Sequence, residues 1–308
     1  MAFKASNYVG LQSGDMRTIN GTMTKRKRPP RSSRSRITQS RAPSAGPRTG
    51  KSGPPERGAG GGSGRSIWLY GMHAVAAALL NPSRKRHRLL TTRQAIENLA
   101  DTMAAIGADG AVLNPPAEIV DRGEIDVVSG PDAVHQGIAL LVDPLPDVAI
   151  EDVLAGAGTT ATLIVLDQAT DPRNIGAVLR SARAFGALAV IMQDRNAPTE
   201  TGTMAKAASG ALEHVAVVRV TNLARALWLM KDAGFWCLGL DGTATESIGA
   251  VDPTSKRAVV LGAEGAGLRR LTRETCDQLV RIPIDAAAES LNLSNAAAVA
   301  LYAVGAKD

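Results

Sequence analysis

The chain has 308 residues, enough for one large or two modest domains. Hydrophobic residues make up 44% and aromatics only 3%, so the core must rest on Ala, Val, Leu and Ile. No apolar run reaches the roughly 18 residues of a membrane span. His73, His87, His135 and His214 lack metal-ligand spacing, and Cys237 and Cys276 form no C-x-x-C pair. These counts argue against a membrane protein, a metal site and a disulfide scaffold, and favour a reducing, cytoplasmic setting.

Charge is unevenly spread. Fourteen Lys and Arg against two Asp and Glu give residues 1–65 a net +12, which leaves −6 on residues 66–308 of a chain whose total is +6. The first segment contains "KRKRPPRSSRSR" and "GAGGGSGR", is poor in apolar residues and lacks periodicity, which predicts a disordered basic tail. Three readings of it stay open: an arm that gathers RNA or DNA through phosphate contacts, a solubilising extension, or an Arg- and Ser-rich organelle-targeting segment.

From Ser66 the pattern turns to α/β. "SIWLYGMHAVAAALLNP" predicts a strand, a glycine turn and an apolar helix ended by Asn81-Pro82. "RHRLLTT" predicts a strand, "RQAIENLADTMAAIGADG" a helix stopped by glycine, and "IALLVDPLP" a strand ended by prolines. Together they make a small domain over residues 66–145. His135 within it suits a hydrogen-bonded loop better than a ligand. Residues 146–159 form a linker with one short helix.

A second α/β domain is expected over residues 160–308. "ATLIVLD" is a continuous apolar run, as for a strand buried on both faces of a parallel sheet. "LAVIM", "VAVVRV", "FWCLGLD", "RAVVL" and "VRIPI" supply further strands, separated by helical segments. Strict alternation implies a parallel sheet with helices on both faces, and ligands gather at the carboxyl ends of such strands.

Three segments follow strands. In "DQATDPRNIGAVLRSARAFG" a helix capped by Asn174 would bury Ile175, Val178, Leu179, Ala182 and Phe185, with Arg180 nearly opposite. In "VVLGAEGAGL" the glycines allow close backbone approach. The dinucleotide spacing is absent and Glu264 would repel phosphate, so a neutral or cationic ligand fits better. In "IPIDAAAESLNLSNAAAVALY", Glu289, Ser290, Asn292, Ser294 and Asn295 crowd the start of an Ala-rich helix, more polar groups than capping needs.

These segments resemble, in order and spacing, the three motifs of the SpoU (TrmH) family of RNA 2′-O-ribose methyltransferases, in the SPOUT superfamily. The first is similar to N-x-G-x-x-x-R at Asn174, Gly176 and Arg180. The second is similar to G-x-E-x-x-G at Gly262, Glu264 and Gly267. The third is similar to I-P-M…S-L-N-V-S at Ile282, Pro283, Ser290, Leu291, Asn292 and Ser294, departing from the pattern at Ile284, Ala286 and Asn295. "YGMHAV", "HQGIAL" and "SGALEHVAVVRVTNLARAL" further resemble the RlmB-type subgroup, which acts on a guanosine of large-subunit ribosomal RNA.

The resemblance implies a C-terminal trefoil knot, an exception to the rule against knots. It implies S-adenosylmethionine as cofactor, held mainly by main-chain groups of Gly262, Ile282 and Leu291. The implied catalytic residues are Arg180, Asn174, Glu264, Ser290 and Asn292, with Glu264 holding Arg180, Asn174 or another loop group. It also implies a homodimer, an RNA-binding role for the small domain, and no metal. A transfer RNA ribose is the alternative target. Two other classes predict different features. A dinucleotide-dependent oxidoreductase calls for a glycine fingerprint after the first strand, where "LDQATDPRNIG" has one glycine. A non-catalytic RNA-binding protein gives no reason for Glu264, Ser290 and Asn292 to occur together.

Overall fold

A computed structural model describes residues 66–108, 110–251, 256–285 and 287–305. The basic tail and Ala286 lie outside the described residues.

The small domain carries a mixed four-stranded sheet, ordered β1-β4-β2-β3. Its strands are β1 (Ile67–Tyr70), β2 (Arg86–Thr91), β3 (Ala117–Ile119) and β4 (Ile138–Val142), and its helices α1 (Met72–Leu80), α2 (Arg93–Ala105) and α3 (Arg122–Ser129). Successive strand residues face opposite sides: Leu89 joins the cluster under α1 and α2, while Leu90 packs with Ile125 of α3. His135 is fully buried. Its Nδ1 accepts from Gly137 N and its Nε2 meets Asp126, so it is the hydrogen-bonded loop histidine expected.

The following segment holds α4 (Ile150–Ala155) and leads into a six-stranded, wholly parallel sheet ordered β10-β8-β9-β5-β6-β7. Its strands are β5 (Ala161–Leu166), β6 (Ala189–Gln193), β7 (Ala216–Val220), β8 (Trp236–Leu240), β9 (Lys256–Leu261) and β10 (Gln278–Val280). β5 is buried on both sides. Ile164 and Leu166 face the cluster of α5 (Pro172–Ala184), α6 (Gly202–Ala208) and α9 (Leu293–Gly305). Leu163 and Val165 face α4 and α7 (Leu223–Asp232). A short helix, α8 (Arg270–Thr275), leads into β10.

Three expectations are corrected. The last strand is Gln278–Val280 and not "VRIPI". Arg281 makes only an isolated bridge to Ser247, and Pro283, without an N–H, cannot extend the ladder. Asn174 is not the cap of α5 either. Asp171 occupies that position, its carboxylate accepting from Arg173 N, and Pro172 takes the first turn. Asn174 is therefore the third helical residue. The stripe Ile175, Val178, Leu179 and Ala182 is buried as expected, but Phe185 sits past the end of α5 and is 41% exposed.

Helix α6 is a wall shared by both domains. On one side Gly176 of α5 lies so close that a Cβ there would stand 2.4 Å from the Met204 carbonyl oxygen. On the other side α6 is stapled to the small domain. Tyr70 Oη and Thr203 Oγ1 are 3.0 Å apart, and Gln136 Oε1 accepts from both Met72 N and Lys206 Nζ. Arg84, 2% exposed, binds Glu200 at 2.6 Å, just before α6, and grips Glu213 beyond it through Nε and Nη2.

Candidate active site

The strand order reverses at β5 and β9, which are neighbours although distant in sequence. This switch point is where a parallel sheet opens a crevice at its carboxyl end. Two of the three segments leave from it: α5 follows β5, and the glycine loop follows β9. The third approaches from the edge strand β10 and enters α9, which packs against α5 and β9.

The glycine loop is a tight reversal. Gly267 N donates to Ala263 O at 2.9 Å, and Gly265 and Gly267 have φ of 76° and 67°, conformations that favour glycine. A Cβ on Gly262 would lie 2.0 Å from the carbonyl carbon of Gly267, so no larger residue fits while the loop keeps this path.

The loop holds Glu264 against two helix beginnings. Its Oε1 accepts from Asn174 Nδ2 at 3.0 Å, Asn292 Nδ2 at 2.9 Å and Leu293 N at 3.1 Å. Asn174 lies in the first turn of α5 and Leu293 opens α9, so the carboxylate sits where two helix dipoles favour negative charge. Asn292 Nδ2 also donates to Asn174 Oδ1 at 3.1 Å, and Asn292 Oδ1 accepts from Ser294 N and Oγ at 2.9 and 2.6 Å. Residues 118 positions apart thus share one network.

Of the residues expected at the site, the structure brings Asn174, Glu264 and Asn292 into contact. Gly262 shapes the loop that carries Glu264. Ile282 follows β10 and Leu291 precedes α9, and both are half-buried. Ser290 is exposed and makes no side-chain hydrogen bond among the described residues. Arg180 is not held by Glu264: it lies exposed on α5 without a hydrogen bond or ion pair among the described residues. Ser294 and the Leu293 amide are full members of the network that the expected site left out. The Ser-x-Asn-x-Ser spacing was their signal, since a residue two places after an Asn cap donates back to it. No group of three or more His, Cys, Asp or Glu is disposed to hold a metal among the described residues, and no helix there is long and apolar enough to cross a membrane.

The glycine loop and polar network at the switch point of a parallel sheet define an α/β protein with its candidate site at the carboxyl end of the strands, where such sheets bind ligands. The model of the SpoU rRNA methylase family matches residues 161–302, and that of the RNA 2′-O ribose methyltransferase substrate-binding domain matches residues 68–148. The chain is 38% identical over 238 residues to the 23S rRNA (guanosine-2′-O-)-methyltransferase RlmB of Pseudomonas putida, covering 76% of this chain and 94% of that protein. It is 40% identical over 240 residues to the Vibrio vulnificus protein of the same name, with the same coverage. The chain belongs to the SpoU rRNA methylase family.

Solved structures agree on the fold. The SpoU methyltransferase AviRb from Streptomyces viridochromogenes, in complex with the cofactor AdoMet, aligns with a TM-score of 0.64 at 22% identity, over 78% of this chain and 89% of that one. An AdoMet-bound rRNA methyltransferase from Sinorhizobium meliloti aligns at 0.62 and 22%, over 78% and 87%.

Proposed function

We propose that this chain transfers a methyl group from S-adenosylmethionine to the ribose 2′-oxygen of a guanosine in 23S ribosomal RNA. The observation that carries the reading is the single network in which Glu264 Oε1 joins the first, second and third motifs. Relatives about 40% identical over nearly their whole length act on that RNA by name, and a substrate-binding domain model covers the small domain.

The residues at the switch point fit the cofactor. The Gly262–Leu268 loop contains no cationic side chain and one carboxylate, which suits a sulfonium and would repel a phosphate-bearing cofactor. Main-chain groups of Gly262, Ile282 and Leu291, at the ends of β9, β10 and the approach to α9, would hold it. When bound, S-adenosylmethionine supplies an activated methyl on a good leaving group.

What remains for the chain is alignment and charge. Asn292 spends both N–H groups and both oxygen lone pairs inside the network, so it positions Glu264 and Asn174 and has nothing left for substrate. Asn174 keeps one N–H and one lone pair free, and orients the ribose. Ser290, with no internal partner among the described residues, adds a second contact. Arg180 presents a cationic planar fork of donors, so it clamps the phosphate beside the target and stabilises negative charge that develops on the 2′-oxygen.

The family's dimer is read onto the face beside α5 and α9, where Phe185, Leu188, Val299 and Tyr302 are 39–62% exposed and the Phe185 and Tyr302 rings meet edge to face at 6.2 Å. The trefoil knot is read onto residues 256–305. Its support is that β10 pairs at the sheet edge, yet the segment leaving it returns to Glu264 and starts α9 against α5 and β9. The tail is read as a cationic arm for RNA, and the setting as the cytoplasm, in keeping with two free cysteines.

The test has two parts: calorimetry with S-adenosylmethionine, and incubation of the protein with stripped ribosomal and transfer RNA pools followed by mapping of 2′-O-methyl positions. Binding together with a new mark on a 23S guanosine supports the reading. A mark confined to transfer RNA moves the target, and absence of cofactor binding defeats the assignment.

A further inference from the structure

Asp167, at the end of β5, takes no part in the proposed chemistry, yet it is one of the few buried charged groups, 1% exposed. Both of its oxygens are committed to one residue. Oδ2 accepts from Arg269 N at 3.0 Å and Oδ1 from Arg269 Nε at 2.7 Å. Its own amide donates to Leu261 O at 2.8 Å, the last residue of β9. Asp167 therefore touches the entrance of the glycine loop through its backbone and the exit through its side chain. Residue 168 follows in the left-handed region, with φ of 64° on a glutamine, an uncommon conformation that marks a sharp departure of the chain from the sheet.

The loop has two further restraints, the Ala263–Gly267 reversal and the Glu264 network at α5 and α9. The reversal fixes its shape and the network fixes its tip. The β5–β9 ladder fixes the entrance at Leu261, and neither restraint fixes the height of the exit at Leu268. The Asp167–Arg269 pair sets that height: a buried carboxylate with two charge-assisted hydrogen bonds is a stiff anchor.

We propose that Asp167 and Arg269 are positioning residues, a latch that holds the Gly262–Leu268 backbone and Glu264 at the level of the cofactor. The inference rests on the methyltransferase reading for the identity of that cofactor, but the latch itself does not. Arg269 is 39% exposed on its side chain, so Arg269→Ala removes no core side chain and opens Asp167 to water, and Asp167→Asn keeps the shape but turns one acceptor into a donor facing a donor.

The experiment compares the full-length protein with Arg269→Ala, Arg269→Lys and Asp167→Asn at a temperature well below unfolding. Hydrogen exchange without cofactor should accelerate about tenfold for amides 263–269 in Arg269→Ala and Asp167→Asn, with the β2 amides unchanged. The dissociation constant for S-adenosylmethionine should rise about tenfold, with RNA affinity within about twofold of the parent, and Arg269→Lys should fall between. An unchanged cofactor affinity overturns the proposal, even where exchange accelerates, since the pair is then only a structural contact. If the parent itself binds no S-adenosylmethionine, the methyltransferase reading fails, and exchange alone decides whether the latch holds the loop.

Discussion

At the residue scale, the site is organised by one carboxylate oxygen. Glu264→Ala removes three hydrogen bonds to a charged acceptor and should cost about 1–3 kcal/mol of stability, at the lower end because the group is partly solvated. It should also lower methylation more than stability, which thermal unfolding and single-turnover assays on the same preparation separate. Asn174→Ala and Asn292→Ala should differ. The first loses a group with free hydrogen-bonding capacity and should reduce turnover with little change in melting temperature. The second loses the cap of α9 and should reduce both, the cap alone being worth about 0.5–2 kcal/mol. Equal melting temperatures for the two variants would contradict this division of labour. The cysteines stand apart from the chemistry. Burial pushes the thiols of Cys237 and Cys276 up to about 12, so neither is a thiolate at neutral pH. Both should resist a disulfide reagent at pH 8 until the protein unfolds, which a burst of reaction under native conditions would disprove.

At the element scale, the spacing of the first motif has a packing reason. Gly176 lets α5 approach α6 until backbone meets backbone, and Arg180 and Asn174 lie either side of that notch. Gly176→Ala gains about 1 kcal/mol of helix propensity but forces a methyl to within 2.4 Å of the Met204 carbonyl oxygen, and overpacking of this kind costs about 1–3 kcal/mol. The expected outcome is a lower melting temperature and weaker activity, and an unchanged melting temperature would show that the helices can part without penalty. Most elements were legible in the sequence because the signals were strong: "ATLIVLD" for a doubly buried strand, "SLNLSNAAAV" for the start of the last helix. The misses have physical causes. Asn174 looked like a cap, although Asp171-Pro172 carried the stronger start signal three residues earlier. "VRIPI" looked like a strand because its apolar residues outweighed a proline that ends the pairing. β3 and α3 carry no legible signal, since three strand residues and an eight-residue helix with one buried side chain leave little pattern. The candidate residues were named by family likeness. That Glu264 would grip two helix starts, and not Arg180, depends on a strand order that no local pattern contains.

At the scale of the whole molecule, two charge systems do different work. The fourteen basic residues of the tail lie on a chain whose remainder is acidic. Removing residues 1–65 should weaken RNA binding and flatten its salt dependence, each lost phosphate contact reducing the slope of log K against log salt by about 0.7–0.9, while cofactor affinity stays constant. A slope unchanged by truncation would assign RNA binding to the body alone. Inside the body, Arg84 with Glu200 and Glu213 ties the two domains, and Arg84→Ala would strand two carboxylates at a cost of about 3–5 kcal/mol. Because α6 is pinned to the small domain on one side and to the Arg180 helix on the other, the gap between the RNA-holding layer and the transfer site is set in advance, like the jaws of a locked caliper. Target choice then becomes a matter of length. An RNA whose recognised feature is moved by one base pair should carry its mark displaced by the same step, and a mark that stays on the original ribose would show that the gap is not fixed.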